Sequence, residues 1–223
     1  MKVIVTGCTG LVGGELVKEC IANPAIEHIY ALTRKPLSEA VTSHEKVTVI
    51  LHDDFGTYPP ELLSQLQGAD ACLWAIGGRV AQFPDVETAR KVGVDYTLAA
   101  AKAFVEAKLA GEGKIFRMVF CSGWLAEWNQ EKHLRFMEHT RKIKGQVEKG
   151  LADMADGQPD RFQSWFVRPG DIIPTNGSAL RKMAISLSKG IVADKLAQAM
   201  VKILLDGYDR RILEPADIQK VLA

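Results

Sequence analysis

Apolar positions along the chain alternate between two kinds of pattern. KVIVT (2–6), HIYALT (28–33), KVTVILH (46–52), ADACLWAI (69–76), KIFRMVFCS (114–122) and FQSWFVRP (162–169) are short apolar runs of strand length. Between them the spacing turns helical. Residues 10–23 have helical spacing through Leu11, Leu16, Val17 and Ile21 and stop at Asn23-Pro24. A short helix is expected near 60–67, an alanine-rich one over 85–109 and another long one over 131–155. Two more helical stretches near 178–187 and 193–206 follow, with a short strand at 211–215.

Alternating β and α units with short connections predict an α/β fold, a doubly wound parallel sheet of order 3-2-1-4-5-6. Its crossovers should be right-handed, with ligands bound at the carboxyl ends of the strands. The fourth strand is nearly all apolar, as a parallel strand covered on both faces must be. No repeat, low-complexity run or linker interrupts the pattern, so residues 1–223 read as one Rossmann domain. Residues 171–223 are expected to add a small helical lid and C-terminal elements.

Composition narrows the choice of function. The chain has 223 residues, 47% hydrophobic and 25% charged, with a formal net charge of +1. That balance offers no basic footprint for nucleic acid or an anionic membrane. The apolar runs fall short of a membrane span, and the first ten residues read as a strand rather than a signal peptide. Cys8, Cys20, Cys72 and Cys121 form no CxxC pair, and the five histidines show no metal-binding spacing. The expectation is a cytoplasmic protein with reduced thiols, no metal and a small-molecule substrate, either monomer or homodimer.

The first turn, TGCTGLVGG, places Gly7, Gly10 and Gly13 between strand and helix. In that context the glycines permit a tight turn, backbone approach to a pyrophosphate and close helix packing. Loop residues Thr9, Leu11 and Val12 would lie against the same phosphates, held by free helix amides. No GK[ST] follows, which disfavours a triphosphatase loop. Strand 2 ends in ALTRKP. Arg34 and Lys35 stand where an NAD site usually has an acidic residue, and a guanidinium can grip a ribose 2′-phosphate. The expected cofactor is therefore NADPH, although two basic residues in a solvated loop would look the same. Asp54 and Phe55 after strand 3 could meet the adenine or simply form a turn. Ala75, Ile76 and Gly77 after strand 4 could lie against the cofactor, while Arg79 could face the phosphates or solvent.

Together, TGCTGLVGG, TRKP, HDDF, AIGGR, VDYTLAAAKA, CSGW, KIKGQVEKG and FVRPGDII resemble the atypical short-chain dehydrogenases/reductases over nearly the whole chain. The branch they look most like is the Tat-interacting-protein, NAD(P)H-binding-like one. The resemblance implies that Ser122 positions a carbonyl and that Lys144 holds the nicotinamide ribose. Cys121 joins the cofactor-binding set, and Arg168, Pro169 and Gly170, ending strand 6 at the carboxyl edge of the sheet, should pass close to the nicotinamide unless they form only a strand-ending proline turn. The family's proton-donating tyrosine falls at Thr140, and there the sequence departs from the pattern.

Thr140 and Lys144 lie one helical turn apart on one face. A tyrosine of pKa about 10 can be tuned towards neutrality by a nearby cation. An aliphatic hydroxyl is a far poorer acid. His133 is the best substitute acid by chemistry, unless it is a surface histidine. Trp124, Trp128, Phe136 and Met137 could wall an apolar pocket, or be hydrophobic contacts of that helix with the short C-terminal region. The resulting expectation is a reductase of a small, fairly apolar carbonyl or imine. A non-redox isomerase or cyclase, or an NADPH-sensing partner-binding protein, are the alternatives.

Overall fold

The computed structural model describes residues 1–176 and 189–223. The helix expected near 178–187 lies outside the described residues. Strands β1 (Lys2–Thr6), β2 (His28–Thr33), β3 (Val47–Leu51), β4 (Ala71–Trp74), β5 (Phe116–Cys121) and β6 (Phe162–Val167) all pair in parallel. Sheet order is β3-β2-β1-β4-β5-β6-β9, where β9 (Ile212–Leu213) comes from the RILEP segment and extends the expected order by one parallel strand. A separate two-stranded pair, β7 (Ile172–Ile173) with β8 (Ile191–Val192), follows β6.

Helices cover both faces of the sheet. One apolar core lies beneath α1 (Leu11–Ala22), α7 (Ala193–Asp206) and α8 (Pro215–Leu222), and includes Leu16, Leu196, Met200 and Ile218. The other lies beneath α3 (Pro60–Gln65), α5 (Tyr96–Glu106) and α6 (Glu138–Gly157), and includes Leu62, Phe104, Val147 and Leu151. Between these layers every residue of β4 is buried. Strand and helix thus each bury the face that their spacing made apolar.

Three details differ from the sequence reading. The alanine-rich helix is broken into α4 (Val86–Arg90), a π-helical stretch (Lys91–Asp95) and α5. A Cβ on Gly93 would come within 2.8 Å of the Ile143 side chain, so the widened turn lies where this helix crosses α6. The 131–155 helix begins only at Glu138, because Met137 takes a left-handed conformation at φ 48° and turns the chain into α6. Residues 123–137 are therefore a loop. Two helices, α2 (Glu39–Thr42) and α8, lie where no helix was expected.

Candidate active site

The carboxyl ends of β1, β4, β5 and β6 open into one cleft of about 780 Å³. Backbone links align those ends. The buried Thr6 hydroxyl accepts from the Ala75 amide at 3.2 Å, joining β1 to the β4 exit. Ser122 N donates to Val167 O and Trp124 N to Pro169 O, both at 2.8 Å, joining the β5 and β6 exits.

Glycine is required at one end of the cleft. Gly7 has φ 67°, and a Cβ there would sit 2.7 Å from Ala75 O. A Cβ on Gly13 would lie 2.1 Å from Gly7 O, so α1 rests directly on the turn. Gly10 caps α1 without a side-chain bond. The amides of Leu11 and Val12 open the helix, before any intrahelical acceptor exists. Gly10, Leu11 and Val12 line the cleft. Thr9 is exposed on the same turn, and Arg34 and Lys35 are exposed just past β2. Among the described residues Arg34 makes no ion pair. This end fits a dinucleotide: a cradle too tight for side chains, free amides at a helix start, and an unpaired guanidinium.

Lys144 stands at the middle of the cleft. Its ammonium donates to Cys121 O at 3.0 Å and lies 4.8 Å from the Phe120 ring centroid. A Cβ on Gly77 would come 3.3 Å from it, so it reaches from α6 to the β4 exit. Burial holds its pKa below the usual lysine range, with Cys121 and Glu148 opposing that shift. Thr140 Oγ1 accepts from the Val80 amide at 2.9 Å and so pins residues 80–82 over the cleft. Its own proton has no acceptor among the described residues.

Ser122 lines the cleft, but its hydroxyl proton goes to Glu148 at 2.5 Å. Glu148 is fully buried and also accepts from Trp128 Nε1 at 2.7 Å and from Arg168. Arg168 in turn bonds Glu214 at 2.8 Å. The serine can thus offer a carbonyl only an acceptor oxygen. The sequence reading missed Glu148, although the signal was there. It continues the Thr140, Lys144 spacing by one more turn and sits between Val147 and Leu151, which face the core.

Other expected residues fall elsewhere. His133 is exposed on the 123–137 loop, outside the cleft lining, so it faces solvent instead of a reacting group. Phe55 is 2% exposed and packs against Trp74 and Tyr96, which leaves no ring face for an adenine. Asp54 spends both carboxylate oxygens on its own turn, on Gly56 N and Thr57 Oγ1 at 3.0 Å each. Arg168 serves the buried ion pair and not the cleft, because Glu148 must be compensated. Ile76 packs into the core below α5 and α6. Trp128 likewise serves Glu148. Ala75, Gly77, Arg79, Cys121, Pro169 and Gly170 do line the cleft, with Arg79 paired to Asp171 at 2.7 Å. Trp124, Phe136 and Met137 form its apolar wall. All four cysteines are buried free thiols. Among the described residues no cluster could hold a metal, and no helix is long and apolar enough to cross a membrane.

Sheet order, glycine turn and cleft define a Rossmann fold. Solved structures share it: the carbonyl reductase Sniffer of D. melanogaster (TM-score 0.73, 16% identity, 97% of this chain and 96% of that one). So does Gre2 from Candida albicans in complex with NADPH (TM-score 0.70, 16% identity, 96% and 78%). The dTDP-glucose 4,6-dehydratase DesIV from Streptomyces venezuelae with NAD and TYD bound is similar as well (TM-score 0.70, 15% identity, 96% and 75%).

By sequence, the chain is 36% identical over 105 residues to leucinostatins biosynthesis cluster protein T of Purpureocillium lilacinum, covering 47% of this chain and 38% of that protein. It is 30% identical over 151 residues to the mitochondrial protein fmp52 of Emericella nidulans, covering 67% and 60%. The chain thus spans less than two thirds of the length of both relatives. No family model matches it.

Proposed function

We propose that this chain is an NADPH-dependent reductase of a small, largely apolar carbonyl or imine, with Lys144 as the proton source. The observation that carries this is the convergence of the glycine turn, Lys144 and Thr140 on one cleft. Thr140 offers the free hydroxyl proton and Lys144 a buried ammonium. The two sit one turn apart on α6. Gly7 to Gly13 would hold the pyrophosphate, Arg34 the 2′-phosphate and Lys144 the ribose. NADPH would supply the hydride to the carbonyl carbon.

The protein's own work is at the oxygen. Thr140 Oγ1, fixed by the Val80 amide, donates its proton to the carbonyl oxygen and orients it. As negative charge develops there, that proton transfers and Lys144 replaces it on Thr140. Lowering the lysine pKa brings the ultimate acid nearer the working pH, which an aliphatic hydroxyl alone cannot do. Positioned proton transfer of this kind contributes roughly 10²–10⁴-fold in rate. Trp124, Phe136 and Met137 exclude water and receive the apolar part of the substrate.

The test is substrate-dependent loss of NADPH absorbance over a carbonyl panel. Wild type should turn over, Thr140→Val should be much slower, and Lys144→Ala should be dead. Turnover that survives Lys144→Ala would remove the lysine from the mechanism.

One observation favours a second reading. The Ser122 proton is committed to Glu148, so the usual carbonyl-polarising pair is missing. A protein that binds NADPH without using its hydride, as a sensor or a non-redox enzyme, would tolerate that. It predicts binding with no turnover in wild type and the appearance of turnover in Thr140→Tyr. The buried thiols suit any reducing compartment. Cytoplasm was the sequence expectation and the name of the fmp52 relative points to mitochondria, which fractionation would separate.

A further inference from the structure

The substrate end of the cleft contains a charge that the proposed reaction does not use. Arg141 follows Thr140 on α6 and lines the cleft beside it. Its Nε donates to Leu125 O at 2.8 Å, and its guanidinium carbon lies 4.9 Å from the centre of the Phe136 ring. These two contacts fix the plane of the guanidinium and leave both terminal amino groups unbonded among the described residues. No carboxylate lies within ion-pair distance of it there. Its charge helps to lower the Glu127 carboxyl, whose carboxylate is taken by Lys132 at 2.7 Å. Residues 177–188, GSALRKMAISLS, contain no acidic residue that could neutralise it.

The other cationic groups of the cleft are accounted for. Arg79 is paired with Asp171, and Lys144 is held on the Cys121 carbonyl beside Gly77. Among the described residues lining the cleft, Arg141 presents an oriented, uncompensated fork beside Thr140 and against an apolar wall, while Lys189, outside that lining, lies over the Trp124 ring at 4.8 Å. A planar guanidinium matches a carboxylate through two parallel charge-assisted bonds.

We infer that Arg141 binds the carboxylate of the substrate. The substrate class is then an oxo acid with an apolar tail: tail on Trp124, Phe136 and Met137, carbonyl at Thr140, acid group at Arg141. This rests on the reductase reading for the role of the carbonyl, but the anion subsite can be measured without turnover.

The experiment is calorimetric titration of wild type, Arg141→Gln and Arg141→Lys with 4-phenyl-2-oxobutanoate and with its ethyl ester. NADPH affinity of each variant serves as the folding control. Wild type should bind the acid about tenfold to a hundredfold more tightly than the ester, the usual worth of a charge-assisted pair. Arg141→Gln should erase that preference, and Arg141→Lys should restore part of it. Equal binding of acid and ester, no measurable acid binding, or a preference that persists in Arg141→Gln would overturn the subsite. A matched phosphate monoester that binds more tightly than the acid would overturn the carboxylate assignment. Acid preference that depends on Arg141, without NADPH oxidation, leaves the subsite standing and removes the reductase. NADPH oxidation with the ester as efficient as with the acid does the reverse.

Discussion

Gly145→Ala pits helix propensity directly against packing. Gly145 lies inside α6, where replacing glycine by alanine should on propensity alone stabilise by about 1 kcal/mol. The structure predicts the opposite sign. A Cβ on Gly145 would fall 1.8 Å from Glu127 O and 2.2 Å from Glu127 C. Those are backbone atoms, so no rotamer change relieves the clash. Restoring ordinary contact at 3.4 Å requires the 123–130 loop to lift by 1.6 Å. A lift of that size breaks Glu127 N to Arg141 O, now 2.9 Å, and strains Arg141 Nε to Leu125 O at 2.8 Å. Overpacking costs about 1–3 kcal/mol, and each lost hydrogen bond about 0.5–1.5 kcal/mol. After subtracting the propensity gain, the loss of one bond gives a net cost of about 0.5–3.5 kcal/mol.

Denaturant unfolding with unchanged m measures it. Two glycines of the same helix calibrate the result. Gly150→Ala meets only the flexible Leu98 side chain, at 2.8 Å, and should be mildly destabilising. Gly157→Ala meets nothing within 4 Å and should be neutral or stabilising. The same lift moves Trp124 and Ala126, so substrate affinity should fall in Gly145→Ala while NADPH affinity holds. A Gly145→Ala protein as stable as Gly157→Ala would refute the close crossing of loop and helix.

Further outcomes follow from the buried charges. Arg168→Met strands the Glu148 carboxylate and should cost about 3–5 kcal/mol, with Arg168→Met/Glu148→Leu recovering much of it. Arg168→Met as stable as wild type would show that the ion pair is unimportant, and no recovery in the double variant would show that the cost is not a stranded Glu148 charge. Lys144 holds its proton less tightly in the folded than in the unfolded chain. Its penalty on stability is full below the lowered pKa and fades as pH rises towards the ordinary lysine value of about 10.4. Lys144→Met should therefore be neutral or stabilising at pH 7 while abolishing turnover, with the stability difference vanishing at alkaline pH. Because the lysine must be protonated to act, wild-type kcat should fall on an alkaline limb whose midpoint lies below that ordinary value. A flat profile through that range would exclude it as the acid.

Most of the scaffold was legible in the residues because burial imposes a simple rhythm. β4 had to be covered on both faces, and α1 had to show one apolar stripe after its glycine turn. The boundaries that escaped depend on single backbone events. EKHLRFM has helical composition, yet Met137 in a left-handed conformation ends the loop and starts α6 there. The site was legible where position alone decides, as for Gly7, Gly13 and Lys144. It was not legible where a partner decides. Phe55 and Asp54 occupy the expected place but point into the core and into their own turn. Ser122 has the expected type, but a glutamate 26 residues later takes its proton. His133 has suitable chemistry, but its loop carries it away from the cleft.

The central claim is that this cleft holds NADPH through Arg34 and the glycine turn. Calorimetric titration of wild type and Arg34→Ala with NADPH and with NADH tests it most directly. The account predicts one-site binding, with NADPH preferred over NADH by about tenfold or more and the preference lost in Arg34→Ala. No binding of either nucleotide, or NADH bound as tightly as NADPH by wild type, would contradict it.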